Sequence, residues 1–145
     1  MDTFTNTRTL PARPEAVFAA LTTPERLARW WGPAGFSNRF AVCEVQPGGR
    51  WLFDMIGPDG TVYANESVFQ HIEPNRQVVV RHTCAPLFTL SITLEPVAEG
   101  TLLHWQQVFD DAAFAQAAAH ILVPANEQNL DRLQALLERS PPCPG

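Results

Sequence analysis

The central part of the chain alternates between apolar and polar residues in short runs separated by turn residues. The runs cover residues 38–46, 50–56, 61–72, 77–83, 87–95 and 101–109, and glycine, proline, asparagine or aspartate stands in most of the breaks. Each break is too short for a crossover helix, so neighbouring runs should pair as antiparallel strands. A threonine-rich run over residues 3–10 predicts one further strand, which makes seven.

Two short helices are predicted between the first and second strands. Pro14 stands where the first turn of a helix tolerates proline, and the pattern favours a helix that continues to Leu21. Thr22 and Glu25 have the spacing of a capping box, which predicts the start of a second helix. Gly32 and the proline after it would end this helix.

The longest predicted helix covers residues 112–139. Alanine and leucine side chains recur on one of its faces at ~100° per residue, as in an amphipathic helix. The aspartates at 110 and 111 precede it and are typical of a helix N-cap. Pro124 lies inside the helix and is expected to kink it or divide it in two.

The order of elements is therefore one strand, two short helices, six strands and one long helix, an α+β arrangement. An antiparallel sheet with one apolar face must bury that face, and only the C-terminal helix is long enough to cover it. We expect a single domain over residues 1–139. Residues 140–145, which are rich in proline, are expected to form a disordered tail.

A hairpin at residues 57–60 predicts which side chains share a face of the sheet. The sequence Gly-Pro-Asp-Gly suits a type I turn followed by a left-handed glycine, which pairs Gly57 with Thr61. Met55 would then face Tyr63. The second strand is ambiguous, because Phe40 and Val42 on one face and Cys43 and Val45 on the other are all apolar.

Extending this alternation to the later strands and the long helix gives a largely apolar face that also carries several polar groups. An unpaired buried amide costs roughly 1–3 kcal/mol, so such groups favour a cavity that holds water or a ligand with a polar tip. Alternatively, the same rings form an ordinary core and each polar group binds a backbone atom. The candidate ligand-binding residues are Trp51, Phe53, Met55, Tyr63, Asn65, His82, Leu90, Trp105, Gln107, Phe109, Asn126, Asn129 and Leu133.

Composition excludes several classes of function. The chain has no lysine, and its ten arginines are scattered against fifteen carboxylates, giving a net charge of −5. It therefore lacks the basic stripe of a nucleic-acid-binding protein and the lysine of a phosphate-binding loop. No apolar run approaches ~18 residues, so no membrane span is predicted. Three cysteines without a paired motif suggest reduced thiols and a cytoplasmic protein.

The spacing of possible catalytic and metal-binding residues indicates neither a metal site nor a cofactor. The four histidines lack the spacing of metal ligands, and no nucleophile elbow is present. Cys84 is a weak nucleophile candidate, with only Arg81 and His82 as basic neighbours. No residue is therefore assigned as catalytic.

Several segments resemble the START-like superfamily, also called SRPBCC. Within it, the chain is similar to bacterial stand-alone relatives of the C-terminal domain of Aha-type activators of the heat-shock-90 ATPase. The segments that carry the resemblance are PARPEAVF at 11–18, TPERLARWWGP at 23–33, PGGRW at 47–51, MIGPDG at 55–60 and ANEQNLDRL at 125–133.

The resemblance implies a helix-grip fold, in which a curved sheet wraps around the long helix with an apolar cavity between them. It also implies binding of a small hydrophobic or aromatic molecule such as a lipid or polyketide. One alternative is a cyclase, dehydratase or hydrolase on such a ligand, with His82 moving the proton. Another is a chaperone-associated module with an exposed apolar patch around Trp30, Trp31 and Phe36. Self-association as a homodimer is also open.

Overall fold

A computed structural model describes residues 2–139 of the chain. The predicted tail at 140–145 lies outside these described residues. The elements, in chain order, are β1 Thr3–Leu10, α1 Pro14–Thr22, α2 Pro24–Trp30, β2 Ser37–Cys43, β3 Arg50–Ile56, β4 Val62–Glu73, β5 Gln77–His82, β6 Phe88–Val97, β7 Gly100–Phe109 and α3 Ala112–Arg139.

The strands form one curved, fully antiparallel sheet in the order β1-β7-β6-β5-β4-β3-β2. Successive strands from β2 to β7 are neighbours, and β1 then adds beside β7. The two short helices lie between β1 and β2 in the chain, and α3 follows β7. The predicted α+β fold is confirmed.

The register predicted for the β3–β4 hairpin is also confirmed. Met55 pairs with Tyr63 and Phe53 with Asn65. The Gly57 amide donates to the Thr61 carbonyl at 2.8 Å, and Gly60 has a φ of 86°, which other residues rarely adopt. The turn chemistry at residues 57–60 therefore decides which side chains of β3 and β4 reach the core.

A β-bulge explains the ambiguity of the second strand. The pairing of β2 with β3 shifts between Phe40 and Val42, so the alternation of side chains changes within the strand. As a result Phe40 and Cys43, an odd number of residues apart, both pack against the core. Burial raises the pKa of the Cys43 thiol to about 11, with a smaller contribution from Glu25.

One detail of the helix predictions is wrong, and one of the two alternatives for Pro124 is excluded. Thr22 does not form a capping box with Glu25, because its hydroxyl donates to the Phe18 carbonyl at 2.7 Å and so belongs to the end of α1. Pro124 does not divide α3, which is one helix of 28 residues. The predicted N-cap is confirmed, since the Asp111 carboxylate accepts a hydrogen bond from the Phe114 amide at 3.1 Å.

The core lies between one face of the sheet and the helices. In α3, Leu130 and Leu133 are fully buried, as is Ala115 near the start of the helix. The α3 residues between Ala115 and Asn126 are only half-buried or exposed. The second half of α3 thus closes the core, while the first half covers the sheet less completely.

Candidate functional site

Six of the candidate residues lie in a closed, packed core. They are Trp51, Phe53, Leu90, Trp105, Phe109 and Leu133, each at most 4% exposed. The ring of Trp31 lies 5.0 Å from that of Trp51 and 6.0 Å from that of Trp105, so it fills the space between β3 and β7. These side chains form the hydrophobic base of the site rather than its accessible surface.

The indole N–H groups of Trp51 and Trp105 are buried and have no hydrogen-bond acceptor within the described part of the chain. Trp51 meets Trp31 and Phe40 in edge-on ring contacts, at 5.0 Å and 5.5 Å between centroids. Aromatic rings at such angles favour contact between a positive edge and a negative face. The tryptophan cluster therefore relies on ring packing more than on conventional hydrogen bonds.

Three of the polar candidates are held by other protein groups. The Asn126 amide donates to the Gln107 side-chain oxygen at 3.0 Å, which joins α3 to β7. The Asn129 side-chain oxygen accepts from the Gly32 amide at 3.1 Å, which joins α3 to the segment after α2. These asparagines thus orient the helix, and their burial is explained without a ligand.

His82 is the centre of a second polar group, at the end of β5. Its Nδ1 lies 2.7 Å from the Pro86 carbonyl oxygen, and its Nε2 lies 2.8 Å from the side-chain oxygen of Asn65 and 3.4 Å from the Cys84 sulfur. Burial is the largest effect on its pKa and lowers it, while the hydrogen bond to the Pro86 carbonyl acts in the opposite direction. The imidazole ring stacks on Phe88, with centroids 4.5 Å apart.

Of the remaining candidates, Asn65 contacts His82, while Met55 and Tyr63 lie further along β3 and β4, towards the end of the sheet where β3, β5 and β7 end and β4 and β6 begin. Leu122 of α3 and Phe88 of β6 both pack against the cluster of Phe4, Phe109 and Ala115, so α3 approaches the same end. We call this region the open end and define it as Met55, Tyr63, Asn65, His82, Phe88 and Leu122. Tyr63 is 49% exposed, and all the other members except His82 are half-buried.

Exposed apolar side chains gather around the open end. Among residues 2–139 the exposed large hydrophobic residues are Val62, Tyr63, Leu87, Phe114, Ile121 and Val123. They lie at the start of β4, just before β6 and on the first half of α3. Ring contacts continue from Phe88 to Phe109 at 5.2 Å and from Phe109 to Phe114 at 5.7 Å. Val62 alternates with Tyr63 along β4 and so lies on the other face of the sheet; the remaining five are exposed apolar side chains of elements that meet at the open end.

The alternation pattern did not select Leu87, Phe114, Ile121 or Val123 as site residues. Phe114 lies one turn into α3, and the other α3 positions flank Leu122 on the helix. Their apolar character was visible in the sequence, where Ile121, Leu122 and Val123 form a consecutive apolar run. A run wider than one helix face is the signal that could have identified them.

Two depressions lie elsewhere on the surface. One, of about 820 Å³, runs between α2, β2 and the end of α3. The other, of about 790 Å³, lies beside the β6–β7 turn and the segment before α1. None of the thirteen candidate residues lines either of them.

The described part of the chain gives no support to a metal site. It contains no group of three or more histidine, cysteine, aspartate or glutamate side chains able to hold an ion. Nor is any of its helices long and apolar enough to cross a bilayer. Trp30 and Trp31 are at most 9% exposed, so the apolar patch that would have favoured a chaperone module is not formed there.

Comparison with known proteins agrees with this fold. Over most of its length the chain is similar to a protein of Chromobacterium violaceum, with 24% identity, coverage of 97% of this chain and 100% of that one, and a TM-score of 0.85. A protein of Nitrosomonas europaea has 20% identity, 95% coverage of both chains and a TM-score of 0.87. No curated protein matches significantly. Residues 11–138 match the family described as Activator of Hsp90 ATPase homolog 1-like protein, and the chain belongs to this family.

Proposed function

We propose that the protein binds a small, largely apolar molecule at the open end, between the first half of α3 and the sheet. The observation that carries the proposal is the gathering of exposed large apolar side chains around this one end. A soluble domain gains by covering such side chains, because burial yields about 25 cal/mol for each Å² of apolar surface.

The polar members of the open end indicate that the expected ligand also carries a hydrogen-bonding group. The His82 ring stacks on Phe88 and lies 2.8 Å from the Asn65 side-chain oxygen, and the half-buried Asn65 remains partly accessible. A ligand with one hydrogen-bonding group could bind Asn65 and His82 through that group while its apolar body contacts the aromatic rings. We therefore expect an aromatic or aliphatic molecule with a single polar tip.

The hydrogen bonds of His82 favour binding over catalysis. Both ring nitrogens already face protein atoms, at 2.7 Å and 2.8 Å. A general acid or base needs a nitrogen within reach of its substrate. A neutral ring has one N–H and donates to only one of these two oxygens, but both nitrogens lie against protein atoms, and the arrangement supports a binding protein.

A neutral fluorescent probe tests the proposal. N-phenyl-1-naphthylamine is apolar and aromatic, and its emission rises on transfer from water to an apolar site. We expect saturable binding to the purified protein. Leu122→Trp should fill the space beside the cluster of Phe4, Phe109 and Ala115 and weaken binding by at least about tenfold, equivalent to about 1.4 kcal/mol. His120→Trp, on the exposed side of the same helix, should leave affinity unchanged.

Two measurements could contradict the proposal, and a third would identify the natural ligand. Binding that is unsaturable, or equally strong in both tryptophan variants, would place the probe elsewhere. Size-exclusion chromatography would overturn it if the apolar residues prove to be covered by a second copy and the dimer takes up no probe. Native mass spectrometry of the protein as purified would then identify any molecule that occupies the site in the cell.

A further inference from the structure

A second candidate site is a groove lined by none of the residues of the open end, which we call the arginine groove. It lies between α2, the start of β2 and the last turns of α3, and its volume is about 820 Å³. Small-molecule sites commonly have such volumes. Its lining residues are Arg26, Ala28, Arg29, Phe36, Ser37, Asn38, Arg132, Leu136 and Arg139.

The charge of this groove is opposite to that of the whole chain. Four of the ten arginines line it, and no aspartate or glutamate does. The chain as a whole has a net charge of −5. Since like charges gathered without counterions repel one another, four arginines around one depression favour an anionic occupant.

Arg132 supplies a positive charge that no carboxylate of residues 2–139 balances. Its guanidinium donates to the carbonyl oxygens of Trp31, Gly32 and Pro33 at 3.0–3.1 Å, and to that of Arg29 at 2.8 Å. Burial lowers the pKa of this group, the direction expected when a cation is removed from water. Carbonyl oxygens satisfy its donors but leave its net charge uncompensated.

The other three arginines keep donors available for a ligand. Arg26, Arg29 and Arg139 make no ion pair within the described part of the chain; Arg139 donates from Nε to the Ala135 carbonyl at 3.3 Å. All three are exposed. This contrasts with Arg8 and Arg81, whose guanidinium groups pair with carboxylates at 2.6–2.8 Å.

The groove also has an apolar part. Phe36, Ala28 and Leu136 lie among the arginines, and the Phe36 ring is half-buried and 6.0 Å from that of Tyr63. A site for a free inorganic ion would need only the charged groups. The combination fits a ligand with a charged head and an apolar body.

We propose that the arginine groove binds a phosphate monoester whose organic part is aromatic or aliphatic. The forked donors of arginine match phosphate oxygens in pairs, and a monoester carries close to two negative charges at neutral pH. Phe36 and Leu136 would contact the organic part. No residue is shared with the open end, so this proposal stands apart from the proposed function above.

Calorimetric titration with phenyl phosphate tests the proposal. We expect saturable binding that weakens as salt is added. The double variant Arg26→Gln, Arg29→Gln should lose at least about tenfold in affinity, equivalent to about 1.4 kcal/mol. The matched control Arg13→Gln, Arg76→Gln removes the same charge from two exposed arginines outside the groove and should bind as the unaltered protein does.

Three further ligands make the outcome decisive. Phenol should not bind, and inorganic phosphate should bind more weakly than phenyl phosphate. Equal affinity for inorganic phosphate would overturn the role of Phe36 and Leu136. No heat with phenyl phosphate, or equal loss in both double variants, would overturn the site itself. A glutamate-rich peptide that binds through Arg26 and Arg29 more tightly than phenyl phosphate would replace the small molecule by a protein partner.

Discussion

His82 shows how far a single polar residue can be interpreted from its place in the sequence. Alternation along β5 correctly placed its side chain on the apolar face, where it is 5% exposed. Its partner could not be found in the same way. Asn65 lies diagonally across from it, because Ser67 is the residue that pairs directly with His82. That register follows from a bulge between Phe69 and His71, which alternation alone does not reveal.

The burial of His82 has a consequence for stability that can be measured. Because burial lowers its pKa below 6.5, the unfolded chain takes up the proton more readily than the folded one. The stabilising effect of the neutral ring is thus complete above pH 6.5 and is lost as the pH falls below it. His82→Gln keeps a donor for the Pro86 carbonyl and should reduce the fall in unfolding midpoint between about pH 7.5 and about pH 5.5.

Thermal unfolding at the two pH values checks this expectation. His120→Gln, on the exposed side of α3, serves as the control and should retain the full pH dependence. An unchanged pH dependence in His82→Gln would show that folding does not alter the pKa of His82.

At the scale of elements, turns and alternation predicted most of the fold and the packing of α3 decided the rest. The Gly57–Gly60 turn determined the register of β3 and β4, since its backbone conformation depends on local residues. The capping box failed because the Thr22 hydroxyl had a nearer acceptor one turn back in α1. Which half of α3 is closed depends on contacts with α2 and the sheet, distant in sequence, so periodicity could not indicate it.

Pro124 makes α3 an unusual element, because the helix continues through it. Proline supplies no amide hydrogen, so the His120 carbonyl lacks its normal helical donor. If the helix needs no bend there, Pro124→Ala should raise the free energy of unfolding by about 1–3 kcal/mol. Urea denaturation measures the change. A loss of stability would instead mean that a bend at Pro124 allows Ala115 and Leu130, both fully buried, to reach the sheet together.

For the molecule as a whole, the sequence predicted an apolar face with polar groups but not its division into closed and accessible parts. Trp31 directly follows α2, where the alternation of a strand cannot indicate the direction of its side chain. Its ring closes the core between Trp51 and Trp105. The first half of α3 leaves apolar residues exposed at the other end of the sheet. The two proposed sites follow from this division, because ligands can reach only surfaces that the packed core leaves uncovered.

Asn6 and Arg8 of the first strand both bind Glu127 of the last helix, and Arg8 can be used to test how the two ends of the domain depend on each other. Arg8 of β1 binds Asp131 at 2.6 Å and Glu127 at 2.8 Å, with its side chain only 16% exposed. Arg8→Met should lower the free energy of unfolding by about 1–2 kcal/mol, more than an exposed pair contributes. Arg39→Met removes the 3.3 Å pair with Asp54, in which Arg39 is 68% exposed, and should cost about 0.5 kcal/mol or less.

Urea denaturation at low salt and at about 1 M salt should show the Arg8 effect shrinking as charges are screened. Equal effects of the two substitutions would mean that the Arg8 ion pairs hold β1 to α3 no more strongly than an exposed pair would.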